Sequence, residues 1–323
     1  MGFWTGKKVL VTGGSGFIGS HLCELLVEAG ARVSATASSE RSRDRFLHPS
    51  HADIDWRIGD LADPGWCRQV CEGQELLMHL AARVGGIAYN IAHPASIFRA
   101  NLEVFMNCME AARHHGLDVL VTSSACVYPR HCAIPTPESE GFRDRPEPTN
   151  EGYGWAKRME EFLAQAYASE HGMHVRVARP YNAYGPRDNF DPESSHVIPA
   201  LIRRVFEAEG ELVVWGDGSA SRSFLYVSDF ARGLMEVAEK SPQVEAINIG
   251  ADEETTIAET AQMIIELSGR ELEIHFDPTK PKGQPRRHCD TSLSEELIGY
   301  RAAVPLREGL RRSIDYFLEH VRS

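Results

Sequence analysis

The sequence predicts an α/β fold, a doubly wound parallel sheet joined to a second, smaller α+β domain. Three observations predict it. A short apolar run, Val9-Leu10-Val11, leads into the glycine-rich turn Thr12-Gly13-Gly14-Ser15-Gly16-Phe17-Ile18-Gly19, and Leu22, Leu25 and Leu26 follow at helical spacing. Strand and helix patterns then alternate to about residue 180, with strands at 32–36, 55–58, 76–80, 119–122 and 175–178 and long helices at 95–115 and 153–171. Beyond that point Pro180, Pro186, Pro192 and Pro199 interrupt the alternation.

The first element sets the rest in order. Apolar strands separated by amphipathic helices belong to a parallel sheet covered on both faces, as in the Rossmann arrangement. The expected division is 1–180 for the dinucleotide-binding domain and 181–221 with 251–323 for the substrate domain. Residues 222–250 are expected to return to the first domain, through strands at 224–227 and 246–249 that rejoin the main sheet. The segment 131–150, rich in Pro, Glu and Arg, reads as a loop before the next helix.

Composition narrows the function. A chain of 323 residues with 42% hydrophobic content can bury a large core. Its net charge of -12, from 34 Lys plus Arg and 46 Asp plus Glu, argues against a nucleic-acid surface, which needs a basic stripe. Any anionic ligand must be held by locally placed cations. No apolar run approaches the roughly 18–20 residues needed to span a bilayer, and the first residues run into a strand without a signal-peptide core, so a cytoplasmic location and no membrane partner are expected. Seven scattered cysteines fit reduced thiols better than a disulfide framework, and no complete set of metal ligands appears.

Gly13, Gly16 and Gly19 lie between a strand and a helix, where glycine lets the backbone approach a pyrophosphate at the helix N-terminus. Phe17 and Ile18 of the same turn, Asp60 and Leu61 after the third strand, and Ala81 after the fourth complete the expected cofactor wall. Asp60 is placed to accept from an adenine amino group. The second strand ends Thr36-Ala37-Ser38-Ser39-Glu40-Arg41-Ser42-Arg43. Small hydroxyl residues followed by Arg41 and Arg43 suit a ribose phosphate, so NADP(H) is preferred, with Ser38 and Arg41 as its contacts. NAD is the alternative, in which Glu40 reaches the ribose and the arginines are simply solvated.

Tyr153-Gly154-Trp155-Ala156-Lys157 places a tyrosine and a lysine four residues apart, on one helix face. A nearby ammonium lowers a phenol pKa and lets Tyr153 act as acid or base. Ser124, after the strand ending in Thr122, can hydrogen-bond a substrate oxygen.

With these pieces the chain resembles the extended short-chain dehydrogenase/reductase family, and within it the GDP-L-fucose synthases. The resemblance runs over nearly the whole chain and is most specific in Ala81–Ile87, Asp188-Asn189-Phe190, Ser195–Leu201, Val213–Gly218 and Lys280–Arg287. It implies Ser124, Tyr153 and Lys157 as the reductase triad, and Cys126 and His196 as the pair that moves protons during epimerisation. A ketone at carbon four acidifies the hydrogens on carbons three and five, and inversion needs a base on one face and an acid on the other. It also implies Asn182, Val197, Trp215, Arg222 and Arg287 around a nucleotide-diphosphate sugar, and a homodimer through the two long helices. Ser123–Pro129 looks equally like GDP-mannose 3,5-epimerase, although His196 stands where that enzyme carries a lysine. The expected activity is therefore NADPH-dependent 3,5-epimerisation and 4-keto reduction of a GDP-4-keto-6-deoxyhexose. The alternative is a redox-neutral, NAD-retaining nucleotide-sugar epimerase. A non-catalytic dinucleotide sensor would be expected to lack Tyr153 or Lys157, and both are present.

Overall fold

A computed structural model of the chain describes residues 2–44, 48–242, 245–279 and 284–322. Residues 280–283 of the Lys280–Arg287 motif lie outside them.

Six strands follow the predicted alternation: β1 (Lys8–Thr12), β2 (Arg32–Ala37), β3 (Asp55–Ile58), β4 (Leu76–His79), β5 (Asp118–Thr122) and β6 (Val175–Pro180). With Ala246–Ile249 they form one seven-stranded sheet, ordered Ala246–Ile249, β6, β5, β4, β1, β2, β3, and each pairing is parallel. Val9, Leu10 and Val11 are completely buried, as strands covered on both faces must be. Two hydrophobic clusters, one on each face, enclose the sheet. The long helices Pro94–His115 and Glu151–His171 stop at Gly116 and Gly172, both left-handed, the conformation in which glycine terminates a helix without steric cost.

The order of strands reverses between β1 and β4, so their following loops diverge and leave a crevice at the carboxyl ends of the strands. Thr12 closes the floor of that crevice, its hydroxyl accepting from the backbone N–H groups of Leu80 and Ala81, each at 3.1 Å.

A third cluster lies beyond the sheet, built by the helices Val197–Glu207, Ile257–Ser268 and Leu306–His320 over the strand Glu211–Trp215. Here one expectation is corrected. Ala246–Ile249 rejoins the main sheet beside β6, but the segment 224–227 does not. Leu225–Tyr226 pairs instead with Ala183–Tyr184. The cause is two-sided burial: Phe224 and Tyr226 point into the third cluster and Leu225 into the first, so the alternation of a strand spans two cores.

Behind the crevice sits a buried polar network. Arg179 on β6 makes a bidentate pair with Glu161 on the Glu151–His171 helix, Nε to Oε1 at 2.8 Å and Nη2 to Oε2 at 2.7 Å. Ser123 also donates to Glu161, and Arg179 donates to the Tyr128 hydroxyl and the Glu138 carbonyl. Removing one partner strands a buried charge, so Glu161→Ala should lower the unfolding free energy by about 3–5 kcal/mol in urea titrations. A loss under about 1 kcal/mol would mean that the network braces nothing.

Candidate active site

The turn after β1 is shaped by close backbone contact. Gly13 has φ +69°, and a Cβ on Gly19 would lie 2.2 Å from the Gly13 carbonyl oxygen. Only glycine lets the turn fold back onto the start of α1 (Phe17–Glu28). Gly16 caps α1 without a side-chain bond, and its first turn carries no acidic residue, so free N–H groups and the positive end of the helix dipole face the crevice. Gly13 N–H donates to the Thr36 hydroxyl at 3.0 Å, tying this turn to the end of β2. The cradle fits a dinucleotide pyrophosphate.

The helix Glu151–His171 brings the chemistry. Its first turns press on the Ser124–Cys126 turn so closely that a Cβ on Gly154 would meet the Cys126 carbonyl oxygen at 2.5 Å. Ser124 Oγ accepts from Cys126 N–H at 3.1 Å and lies near enough to Tyr153 to draw its phenol down a little. Lys157 Nζ lies 5.7 Å from the centre of the Tyr153 ring and donates to the Thr122 carbonyl at 3.0 Å and to Glu160 Oε2 at 2.8 Å. Burial pushes the Tyr153 phenol up to about 12, against the opposing pull of Lys157 and of Ser124, while Cys126 and Glu160 reinforce the rise. In this state the phenol is a proton donor.

His196 precedes the helix Val197–Glu207 and makes no capping bond with its side chain. Its imidazole faces the crevice, with Nδ1 3.8 Å from Asp188 Oδ1. The Asp188 carboxylate raises the imidazole above the ordinary histidine value, overcoming its partial desolvation. Beyond the sheet, Arg222 on the strand Ser221–Ser223 pairs in register with Arg287 on the strand Arg286–Arg287. Burial, then repulsion by Arg287, lowers Arg222 to about 10. Gln284 Oε1 accepts from Arg287 Nε at 3.0 Å and Nη2 at 2.8 Å, which leaves Nη1 directed at Cys126 Sγ, 3.8 Å away. Trp215 is 50% exposed, and the Arg204 guanidinium lies 4.8 Å from its ring centre, a stacked platform at the rim.

These groups share one cavity of about 1280 Å³. Its walls include Gly13, Gly16, Phe17, Ile18, Gly19, Ser38, Asp60, Leu61 and Ala81 at one end. Ser124, Cys126, Tyr153, Lys157 and His196 line the middle, and Asn182, Val197, Trp215, Arg222 and Arg287 the other end. Arg41 and Arg43 stand outside the cavity walls. Arg41 is exposed on the single-turn helix Glu40–Arg43 and does not line the cavity, while Arg43 is held by Glu40 and Asp44. The Asn182 amide donates to the Ser223 carbonyl at 2.9 Å, so that donor serves the fold. Sequence reasoning gave no site role to Asp188 and Gln284, which lie in its resemblance motifs, and did not single out Glu160 or Arg204. Glu160 alone had a local signal, three residues from Lys157 on one helix face.

Among the described residues no group of three or more His, Cys, Asp or Glu side chains is placed to hold a metal ion.

Residues 9–250 match the model of the NAD dependent epimerase/dehydratase family. The chain belongs to that family. It is 37% identical to a GDP-L-fucose synthase of Arabidopsis thaliana over 320 residues, covering 97% of this chain and 94% of that one. It is 33% identical to a dTDP-4-dehydro-6-deoxy-D-allose reductase of Streptomyces bikiniensis, covering 99% and 98%. The crystal structure of a GDP-L-fucose synthetase from Naegleria fowleri bound to NADP superposes with a TM-score of 0.82 at 26% identity, over 98% of this chain and 94% of that one.

Replacing Asp188 with Asn removes the charge that holds the His196 proton. The imidazole should then titrate at lower pH, followed by NMR of labelled histidine. An unmoved titration would separate Asp188 from His196.

Proposed function

We propose that this chain is an NADPH-dependent nucleotide-sugar epimerase/reductase that inverts carbons three and five of a GDP-4-keto-6-deoxyhexose and reduces carbon four. One observation carries the reading. A second proton-moving pair, Cys126 and the Asp188-backed His196, lines the same cavity as the Ser124, Tyr153 and Lys157 triad. Simple ketone reduction has no use for that second pair. The names of the Arabidopsis and Naegleria relatives support the GDP sugar, whereas the Streptomyces relative supports the same chemistry on a dTDP sugar.

A nicotinamide dinucleotide, when bound, supplies hydride chemistry at carbon four. The residues do the rest. Ser124 and Tyr153 hold the ketone oxygen and stabilise the enolate formed when a proton leaves carbon three or five. Cys126 and His196 remove and return those protons from opposite faces. Tyr153 then protonates the carbon-four oxygen. Arg222 and Arg287, two partly desolvated cations in an acidic protein, suit the diphosphate, and Trp215 with Arg204 suits a stacked base.

NADPH is favoured because the end of β2 offers no free carboxylate for a ribose diol: Glu40 is paired with Arg43, and Thr36, Ala37 and Ser38 line the cavity. Arg41, exposed beside that end, reaches the phosphate only by turning inward. A second copy would pack on the helices Pro94–His115 and Glu151–His171, which present Met106 and Phe162 at 44% and 57% exposure. All seven cysteines are free thiols and no helix among the described residues is long and apolar enough to cross a membrane, in keeping with a cytoplasmic enzyme.

The test follows GDP-4-keto-6-deoxymannose in deuterium oxide, with cofactor oxidation recorded in parallel. Cys126→Ser and His196→Asn should block deuterium entry beside the ketone while NADPH still binds. Tyr153→Phe should cut turnover at least about a hundredfold. Wild-type exchange in both Cys126 and His196 variants, or none in the wild type, would leave only a reductase. Separately, Arg41→Ala should weaken NADPH about tenfold, ~1.4 kcal/mol, and NADH hardly at all; equal changes for the two cofactors would remove the NADP preference.

A further inference from the structure

Glu160 lies three residues beyond Lys157, and both side chains are shut away from solvent, at 1% and 2% exposure. Its Oε2 accepts from Lys157 Nζ at 2.8 Å, and its Oε1 has no hydrogen-bond partner among the described residues. Desolvating a carboxylate in this way is costly, and nothing in a tyrosine–lysine–serine triad requires it. The ammonium has three donors. One goes to Thr122 and one to Glu160, leaving the third for the crevice.

The charges around the pair limit what Glu160 can do. On its own helix it faces Lys157, Tyr153 and Glu161, and Glu161 is committed to Arg179 of β6. From β4, His79 is kept neutral by burial and by the Lys157 charge, its imidazole lowered to about 3. From the helix Pro94–His115, Cys108 stays a thiol through its bond with Cys67 and its burial. Among the described residues, then, the close counter-charge left for Lys157 is Glu160, ionised above its raised value of about 7.

We propose that Glu160 is a positioning residue which neutralises Lys157, and so keeps the Tyr153 phenol protonated and ready to donate to the carbon-four oxygen. This rests on the reading of Tyr153 as the acid. With Glu160 ionised and Lys157 protonated the pair carries no net charge, and the phenol feels little of the attraction that would drive it to phenolate. Tyr153's O–H bond breaks, the proton forms the new bond to the sugar oxygen, and water entering the opened cavity restores it. Glu160 donates nothing. Burial raises its own carboxyl above the usual range, so the neutralisation weakens as the pH falls through that raised value.

The experiment compares wild type, Glu160→Gln and Glu160→Asp for the pH dependence of GDP-4-keto-6-deoxymannose reduction by NADPH, alongside melting temperature and NADPH affinity. Glu160→Gln should move the alkaline limb down by about one pH unit with cofactor affinity kept, and Glu160→Asp should restore most of it. The Tyr153 ring, labelled at Cζ and read by ¹³C NMR in the NADPH-bound enzyme, should show the same shift without turnover. In the wild type that resonance should remain phenolic at pH 9, which tests the idea even where Glu160→Gln does not fold. A phenolate there, an unshifted limb in a folded Glu160→Gln protein, or equal loss of melting temperature and NADPH affinity in both variants would overturn it. If Tyr153→Phe keeps its turnover, the acid assignment itself fails; if that variant is inactive and the Glu160→Gln limb is unmoved, only the role of Glu160 does.

Discussion

The bidentate pair between Arg179 and Glu161 is the constraint on which the site depends. Its residues are 5% and 0% exposed, so two full charges are held away from water and must satisfy one another. The pair joins β6 to the helix that carries Tyr153 and Lys157, and through Ser123 it reaches the residue next to Ser124. The same guanidinium holds the Tyr128 hydroxyl and the Glu138 carbonyl, anchoring the segment that follows Cys126. Even Gly141 answers to it, since a Cβ there would sit 2.7 Å from the Arg179 nitrogens. Serine, cysteine, tyrosine and lysine come from two separate stretches of chain, and this network fixes the distance between them.

The cavity itself arises where two packing problems meet. Sheet topology opens a crevice between the loops after β1 and β4, and the third hydrophobic cluster closes over it. Phe17 and Ile18, at the start of α1, also pack against that cluster, so the phosphate cradle abuts the half that carries Arg222 and Trp215. In a chain of net charge -12, Arg222 and Arg287 stand close enough to repel each other. Under the proposed function, a diphosphate placed between them would relieve that repulsion.

Local signals carried much of this into the sequence. The glycine spacing, the apolar strands and the tyrosine–lysine pair are each imposed by neighbouring residues, through a tight turn, burial on both faces and one helix face. The roles of Cys126 and His196 came from resemblance rather than from spacing. Asp188 escaped because it meets His196 across a loop with no periodicity, and Arg204 escaped because a cation on an amphipathic helix looks the same whether or not an aromatic ring lies above it. Arg41 shows the converse limit: closeness in sequence to the end of β2 does not say which way a side chain on a one-turn helix points.

By itself, then, the sequence determined the parallel sheet, the phosphate cradle and the helical pairing of Tyr153 with Lys157, because periods of two and 3.6 and the conformational freedom of glycine are local properties. The tertiary structure alone decided that residues 224–226 face two cores at once, that Lys157 is answered by a buried Glu160, that Asp188 stands behind His196, and that Arg287 is aimed at Cys126. Those relations depend on which surfaces desolvate one another, and only the packed chain defines that.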